Sequence, residues 1–498
     1  MLFNSLSFLI FFPVVVMLYF TLPKKLKNYW LLAASYYFYM CWNAKYALLI
    51  LFSTVVTYAS GLLMARAEAG SMQPKQKQNR KKWVVAASFV LNLAILFFYK
   101  YFNFAMDGLQ KVLGAAGIAL HMPTFDVLLP VGISFYSFQA LSYTMDVYRG
   151  EIKAEKNFFQ YALFVSFFPQ LVAGPIERSK NLLEQLEEPK KFQFERARDG
   201  LLLMLWGFFL KIVLADRIAI FVDTVYGQYT QFTGWYLTVA TVLFAFQIYC
   251  DFMGYSVIAM GASQILGIQL MENFRAPYLN TSVASFWRDW HISLTSWFRD
   301  YLYIPLGGSR KGKLRKQLNK MIVFLVSGLW HGAQYSYVAW GLLNGLYQVA
   351  GELLKPLRDR LVRLFGLNRN SLGHKLLCGL VTFALIDLSW IFFRAEGIGE
   401  ALIILKSIVK ADNPWVLVDG SLYGCGLDRA NFMLMLICLA VLLFADLCKR
   451  KGIKIRKVIT DQDAWVRWLV FAGATLAILL FGKYGPGYEA ANFIYFQF

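Results

Sequence analysis

Phe432-Met433-Leu434-Met435-Leu436-Ile437-Cys438-Leu439-Ala440-Val441-Leu442-Leu443-Phe444-Ala445 is an unbroken apolar run, followed by a basic block from Lys449 to Lys457. A hydrocarbon core of about 30 Å takes roughly 20 such residues to cross as a helix. Runs approaching that length recur along the 498 residues: Leu2 to Leu22, Trp83 to Tyr101, Thr233 to Cys250 and Trp468 to Phe481. Composition agrees, with 58% hydrophobic and 16% charged residues, against about 25% charged in ordinary soluble proteins. The fold class this predicts is an all-α polytopic membrane protein with no soluble domain of any size.

The first run begins at residue 2 without a basic flank ahead of it or a small-residue cleavage pattern behind it. It therefore reads as a retained span and not a signal peptide. One membrane-embedded domain over 1–498 is expected, with a catalytic core near 84–350, C-terminal helices within 375–482 and an external tail from 483 to 498. The six cysteines are scattered singly, several within apolar runs (Cys41, Cys250, Cys378, Cys438), and are expected to be small buried hydrophobes.

The formal charge of +20 falls in short basic blocks between apolar runs. That is the pattern of positive-inside topology, with contact to membrane lipids, and it implies no nucleic-acid partner. Lys24, Lys25 and Lys27, the block from Arg66 to Lys82, Arg310 to Lys320, Lys355 to Arg363 and Lys449 to Lys457 are placed in the cytoplasm. Residues 30 to 65 must then form a hairpin turning near Trp42-Asn43-Ala44. Residues 158 to 174, broken by Pro169 and Gly174, read as re-entrant, and Glu177 to Asp199 as solvated. Residues 321 to 350 lie between two cytoplasmic blocks, so they dip in and return or form two half-helices, with His331 on broken helix at membrane depth.

Ionisable residues inside membrane segments are costly and are the first candidates for chemistry. The densest stretch is Ser285-Phe286-Trp287-Arg288-Asp289-Trp290-His291-Ile292-Ser293-Leu294-Thr295-Ser296-Trp297. On one continuous helix Trp287, Trp290, Leu294 and Trp297 share an apolar face, and Arg288, His291 and Thr295 a neighbouring one. An interfacial helix with snorkelling arginines has the same pattern. The second candidate is Val326-Ser327-Gly328-Leu329-Trp330-His331-Gly332, where glycines on both sides allow a helix break or close backbone approach. A lone membrane histidine is also a common packing residue. A third cluster, Tyr249 to Ser256, carries Asp251 at the end of an apolar run, with Arg288 or Arg299 as its expected partner and a structural ion pair as its plain reading. His121 and His374 fall in predicted loops. No phosphate-binding GxxxxGK[ST] loop, no GxSxG elbow and no metal-spaced histidine pair occurs, so no metal site is expected. The glycine-rich basic run from Gly307 to Lys313 suits lipid head groups or the phosphates of an acyl donor.

Together these stretches resemble the membrane-bound O-acyltransferase family, and within it the branch that acetylates alginate. The resemblance is carried by Phe168-Pro169-Gln170-Leu171-Val172-Ala173-Gly174-Pro175-Ile176, Tyr249 to Tyr278, Phe286-Trp287-Arg288 through Gly308, and Gly328-Leu329-Trp330-His331-Gly332. The two chain ends extend it over essentially the whole sequence. The resemblance implies tilted and re-entrant helices ringed around a thin floor with a tunnel or funnels, and it maps the two characteristic histidines onto His331 and His291. Val257 stands where the family usually has a carboxylate, and Cys250 and Met253 also depart from its pattern.

The expected chemistry is transfer of an acetyl group from a cytoplasmic thioester, acetyl-CoA or an acyl carrier protein, to an extracytoplasmic polysaccharide. It proceeds directly or through a hydrolase-like external partner, in the bacterial cytoplasmic membrane. Acetyl-CoA enters as donor substrate, and no bound cofactor is expected. A histidine with an ordinary pKa of about 6.5 is suited to take a hydroxyl proton at neutral pH, which assigns His331 as general base and His291 as its catalytic companion. Arg288, Asp289, Trp330, Asp251 and Ser327 are the expected substrate- or tunnel-binding residues. The alternatives are a teichoic acid D-alanyl transferase of the same family, a transporter or flippase, and a catalytically inactive scaffold.

Overall fold

The structure is a computed structural model that describes residues 1–118, 123–125, 129–172, 174–484 and 494. Among the described residues every element is helical. Six helices are long and apolar enough to cross a membrane: Ala44–Ala69, Pro74–Ala115, Trp235–Leu266, Leu372–Arg394, Arg429–Arg450 and Ala464–Phe481. The first apolar run forms a shorter helix, Leu6–Thr21.

The chain divides into two compact units, residues 1–204 with 256–271, and residues 205–255 with 272–498. In the first unit the expected hairpin is present. Lys27–Met40 is followed by a turn at residues 41–43, and Ala47–Ala69 returns. Polar side chains pair across neighbouring helices at two places, an arrangement favoured where water is scarce: Ser53 Oγ donates to Asn92 Oδ1 at 2.6 Å, and Tyr161 Oη to Thr57 Oγ1 at 2.7 Å.

The stretch near Pro169 forms Phe158–Ser166 and Phe168–Leu171, helices too short to cross a bilayer. The break leaves backbone groups in need of partners. Gln139 and Gln170 both donate to the Phe164 carbonyl, at 2.6 and 3.0 Å, and Ser35 Oγ accepts the Phe168 N–H at 3.1 Å. Glu177 and Ser179, expected in solvent, are buried, and the Glu177 carboxylate accepts the Met271 N–H and the Asn181 amide. Leu182, Leu183 and Leu186 on Ser179–Glu187 explain the difference: a helical apolar stripe lies inside that charged stretch.

The second unit holds both histidine motifs. Its helix Trp235–Leu266 does not stop at the Asp251 cluster but runs on through it into the first unit's residues. His374 lies in the first turn of Leu372–Arg394 and not in a loop. Cys250, Cys425 and Cys438 are buried, whereas Cys41, at a helix end, is exposed. His121 and the tail from 483 onward, apart from Lys483, Tyr484 and Ile494, lie outside the described residues.

Candidate active site

Residues 313 to 353 fold into a helical hairpin, Lys313–His331 and Tyr335–Leu353. Each helix has 19 residues, about 28 Å at 1.5 Å per residue. Gly328 and Gly341 bring them together: a Cβ on Gly328 would strike the Tyr337 carbonyl, and one on Gly341 the Phe324 carbonyl. Small residues at a membrane helix interface permit this approach. His331 is the last residue of its helix, and Gly332 leaves it in extended conformation.

His331 is 6% exposed. Three aromatic rings wall it, all close to perpendicular to it: Trp330 at 4.9 Å and 80°, Trp340 at 5.1 Å and 84°, and Phe393 at 5.2 Å and 75° between centroids and planes. Phe393 arrives on Leu372–Arg394, where Trp390 one turn earlier packs on Trp340. Trp287 Nε1 donates to Asn344 at 3.2 Å, but the fully buried Trp340 Nε1 has no hydrogen-bond partner among the described residues. Ser327 is buried one turn behind His331 on the same helix.

His291 belongs to the same cluster. Trp330 is the shared ring, with its centroid 6.0 Å from the His291 imidazole. The continuous helix expected over 285–297 is broken at this point into Val283–Asp289 and Ile292–Phe298. His291 sits in the break with φ 44° and ψ 55°, a left-handed conformation costing a non-glycine residue about 1–2 kcal/mol.

Asn273 holds it there. Its carbonyl accepts the Ile292 N–H at 3.0 Å, and its Oδ1 accepts the Ser293 hydroxyl at 2.6 Å and the Ser293 N–H at 3.3 Å. His291 Nδ1 lies 3.3 Å from that same Oδ1. Because a backbone N–H can only donate, the Asn273 atom facing this group is its oxygen. His291 then carries its proton on Nδ1 and keeps the lone pair of Nε2. Phe252 packs edge-on against the imidazole at 4.6 Å.

A family model for the membrane-bound O-acyltransferases matches residues 151–370, a range that contains both histidines. A probable alginate O-acetylase of Pseudomonas putida is 36% identical over 404 residues, covering 80% of this chain and 79% of the relative. This chain belongs to the membrane-bound O-acyltransferase family. It is an acyltransferase with several membrane-crossing helices. A peptidoglycan O-acetyltransferase of Helicobacter pylori is 33% identical, over 82% of this chain and 80% of its own length. A teichoic acid D-alanyltransferase of Bacillus subtilis is 26% identical over 45% of this chain and 60% of the relative.

Among the residues singled out in this acyltransferase sequence, the structure brings His331, Trp330 and His291 into one cluster. Arg288 and Asp289 are not part of it. The break at His291 removes the shared face: Arg288 is exposed, while His291 is 1% exposed. Asp289 accepts from Asn280 Nδ2 at 2.8 Å and from Arg450 Nη1 at 3.2 Å. Asp251 pairs with Lys211 Nζ at 2.7 Å, not with Arg288 or Arg299. Lys211 lies inside the apolar stretch 201–215, and only folding sets it beside the aspartate. Asn273, Trp340 and Phe393 carry no charge signal and were not singled out by sequence. Asn273 lies between Tyr249 and Tyr278, the stretch that carries the family likeness, which is the one signal that marks it.

Proposed function

We propose that this protein transfers an acetyl group from acetyl-CoA, presented on the cytoplasmic side, to a hydroxyl of an extracytoplasmic polysaccharide, directly or through a hydrolase-like partner protein. The observation that carries this reading is the pairing of His331 and His291 on one tryptophan ring, inside the segment that matches the family. Relatives named for alginate and peptidoglycan acetylation supply the acceptor class, and a bacterial cytoplasmic membrane separates such polymers from the thioester pool.

In this mechanism His331 accepts the hydroxyl proton as the acceptor oxygen attacks the thioester carbonyl carbon. The new C–O bond forms, the C–S bond breaks, and the proton passes from His331 to the departing thiolate. The His291 tautomer set by Asn273 has its lone pair at Nε2, which suits it to accept from a hydroxyl neighbouring the reacting one on the acceptor and not to polarise a carbonyl. The Trp340 indole N–H is a buried donor suited to a substrate oxygen, including one that gains charge during attack. Aromatic walls hold these groups and keep water away from the thioester.

The test is transfer of radiolabelled acetyl from acetyl-CoA by the purified protein in nanodiscs. Wild type should place label on an acceptor or release it as acetate, and His331→Ala should not. Undiminished transfer by His331→Ala would remove the histidine from the mechanism. An inert wild type that turns over an acyl carrier protein thioester would replace the donor and leave the site assignment standing.

A further inference from the structure

The segment that carries Asn273 is itself held from outside the histidine cluster. Residues 272 to 276 belong to no helix, so their backbone groups need partners elsewhere. Two of those groups grip the chain on either side of the break at His291. The Asn273 carbonyl accepts the Ile292 N–H at 3.0 Å, and the Arg275 N–H donates to the Asp289 carbonyl at 3.0 Å. The peptide bond between Phe274 and Arg275 thus has its N–H on the break. Its carbonyl points the opposite way, as in any trans peptide, and accepts from Lys449 Nζ at 2.8 Å.

Lys449 shares one face of Arg429–Arg450 with Asp446 and Arg450, at the i, i+3 and i+4 spacing of helical neighbours. Both neighbours fix that turn against the same region. Arg450 Nη1 donates to Asp289 Oδ2 at 3.2 Å and Nη2 to Asn280 Oδ1 at 3.1 Å, while Asn280 Nδ2 donates to Asp289 Oδ2 at 2.8 Å. Asp446 is 3% exposed and accepts from Tyr249 Oη at 3.0 Å. The Tyr249 ring packs on Phe274 at 5.5 Å and on Trp290 at 5.9 Å. Lys449 Nζ also lies 3.4 Å from Glu272 Oε1. One helix turn therefore reaches both residues flanking Asn273 and, through Arg450 and Tyr249, the two that precede His291.

A left-handed histidine persists only where surrounding contacts over-determine it, and a charge-assisted bond to the gripping peptide is such a contact. In the sequence Lys449 reads only as the start of a basic block that sets topology. We propose that Lys449 is a positioning residue for acyl transfer: it holds the Asn273 segment against the break and so keeps His291 aimed at the acceptor. This rests on the reading of His291 as the group that holds the acceptor.

The experiment treats the full chain in nanodiscs with diethylpyrocarbonate, which modifies histidine rings, and reads His291 by peptide mass spectrometry with His374 as internal reference. Lys449→Met removes the donor and keeps the apolar stem. It should speed modification of His291 about fivefold, the scale of one partly exposed hydrogen bond, and leave His374 unchanged. Lys449→Arg, which still donates, should match wild type. So should Lys451→Met, which removes an exposed charge from the same basic block. In the acetyl-CoA assay Lys449→Met should transfer about fivefold more slowly and shift the pH profile in the direction of Asn273→Ala. Combined with Asn273→Ala it should be no slower than Asn273→Ala by itself, because both act through one imidazole. Unchanged modification of His291 in a monodisperse Lys449→Met protein overturns the proposal, as does an equal rise in Lys451→Met. Faster modification with an unaltered transfer rate and pH profile overturns the role in the reaction. Should wild type leave acetyl-CoA intact, the donor assignment fails separately, and the modification rates still decide whether Lys449 holds His291.

Discussion

His331 and His291 share a tryptophan but are held by opposite means. His331 ends a hairpin helix and is fixed by packing, with Trp330, Trp340 and Phe393 set against its ring. His291 stands in a left-handed break and is fixed by polar contacts, with Asn273 accepting from Ile292 and Ser293 and facing Nδ1. Aromatic walls confine a ring without choosing its tautomer, whereas an acceptor on one nitrogen does choose it. In the proposed mechanism the two histidines of this cluster take different tasks, His331 to take and return a proton and His291 to hold a neighbouring hydroxyl of the acceptor.

Substitutions can break this contrast, and the largest effect is expected at the proposed base. His331→Ala should lower acyl transfer by roughly 10²–10⁴-fold, the usual contribution of a positioned proton acceptor. A comparable rate in the two proteins at saturating donor would mean that His331 only packs. His291→Asn should lower transfer by about 10²-fold while leaving thermal stability nearly unchanged, because asparagine tolerates the left-handed conformation. A large fall in melting temperature alongside the lost activity would make His291 structural.

Trp340→Phe preserves an aromatic wall and deletes the indole N–H. Its expected cost is roughly tenfold in kcat, the scale of one hydrogen bond to a charged group, and an unchanged kcat would leave that N–H without a role. Asn273→Ala should have the smallest effect on rate, about fivefold, since each neutral hydrogen bond contributes about 1 kcal/mol. It should also shift the pH profile of transfer, because the His291 tautomer is no longer selected. An activity loss without any change in the profile would count against tautomer control.

Much of the fold was legible in the sequence because a bilayer imposes simple rules. Phe432 to Ala445 had to be helical once it was apolar throughout, and it lies inside Arg429–Arg450. The hairpin before Ala69 and the short helices around Pro169 followed from the same rules, with the basic blocks and the breakers as signals. Periodicity misled at 285–297, where tryptophans spaced for one helix occupy two. The break depends on Asn273, twenty residues before Ser293, and no local pattern reports a partner at that distance. Charge misled at Glu177, where burial is decided by leucines one turn further on.

What the sequence determined by itself is the class of protein, most of the segments long and apolar enough to cross a membrane, and the family, because each rests on composition or on motifs contiguous in the chain. Only the tertiary structure decided that Trp330 joins the histidines, that Trp340 and Phe393 wall His331, and that Asp251 pairs with Lys211 and Ile494. Apart from Trp330, adjacent to His331, and Trp340, nine positions from it across the hairpin turn, those contacts link residues dozens to hundreds of positions apart. The energy that selects them is that of close packing and paired buried charge, which exists only once the helices have met.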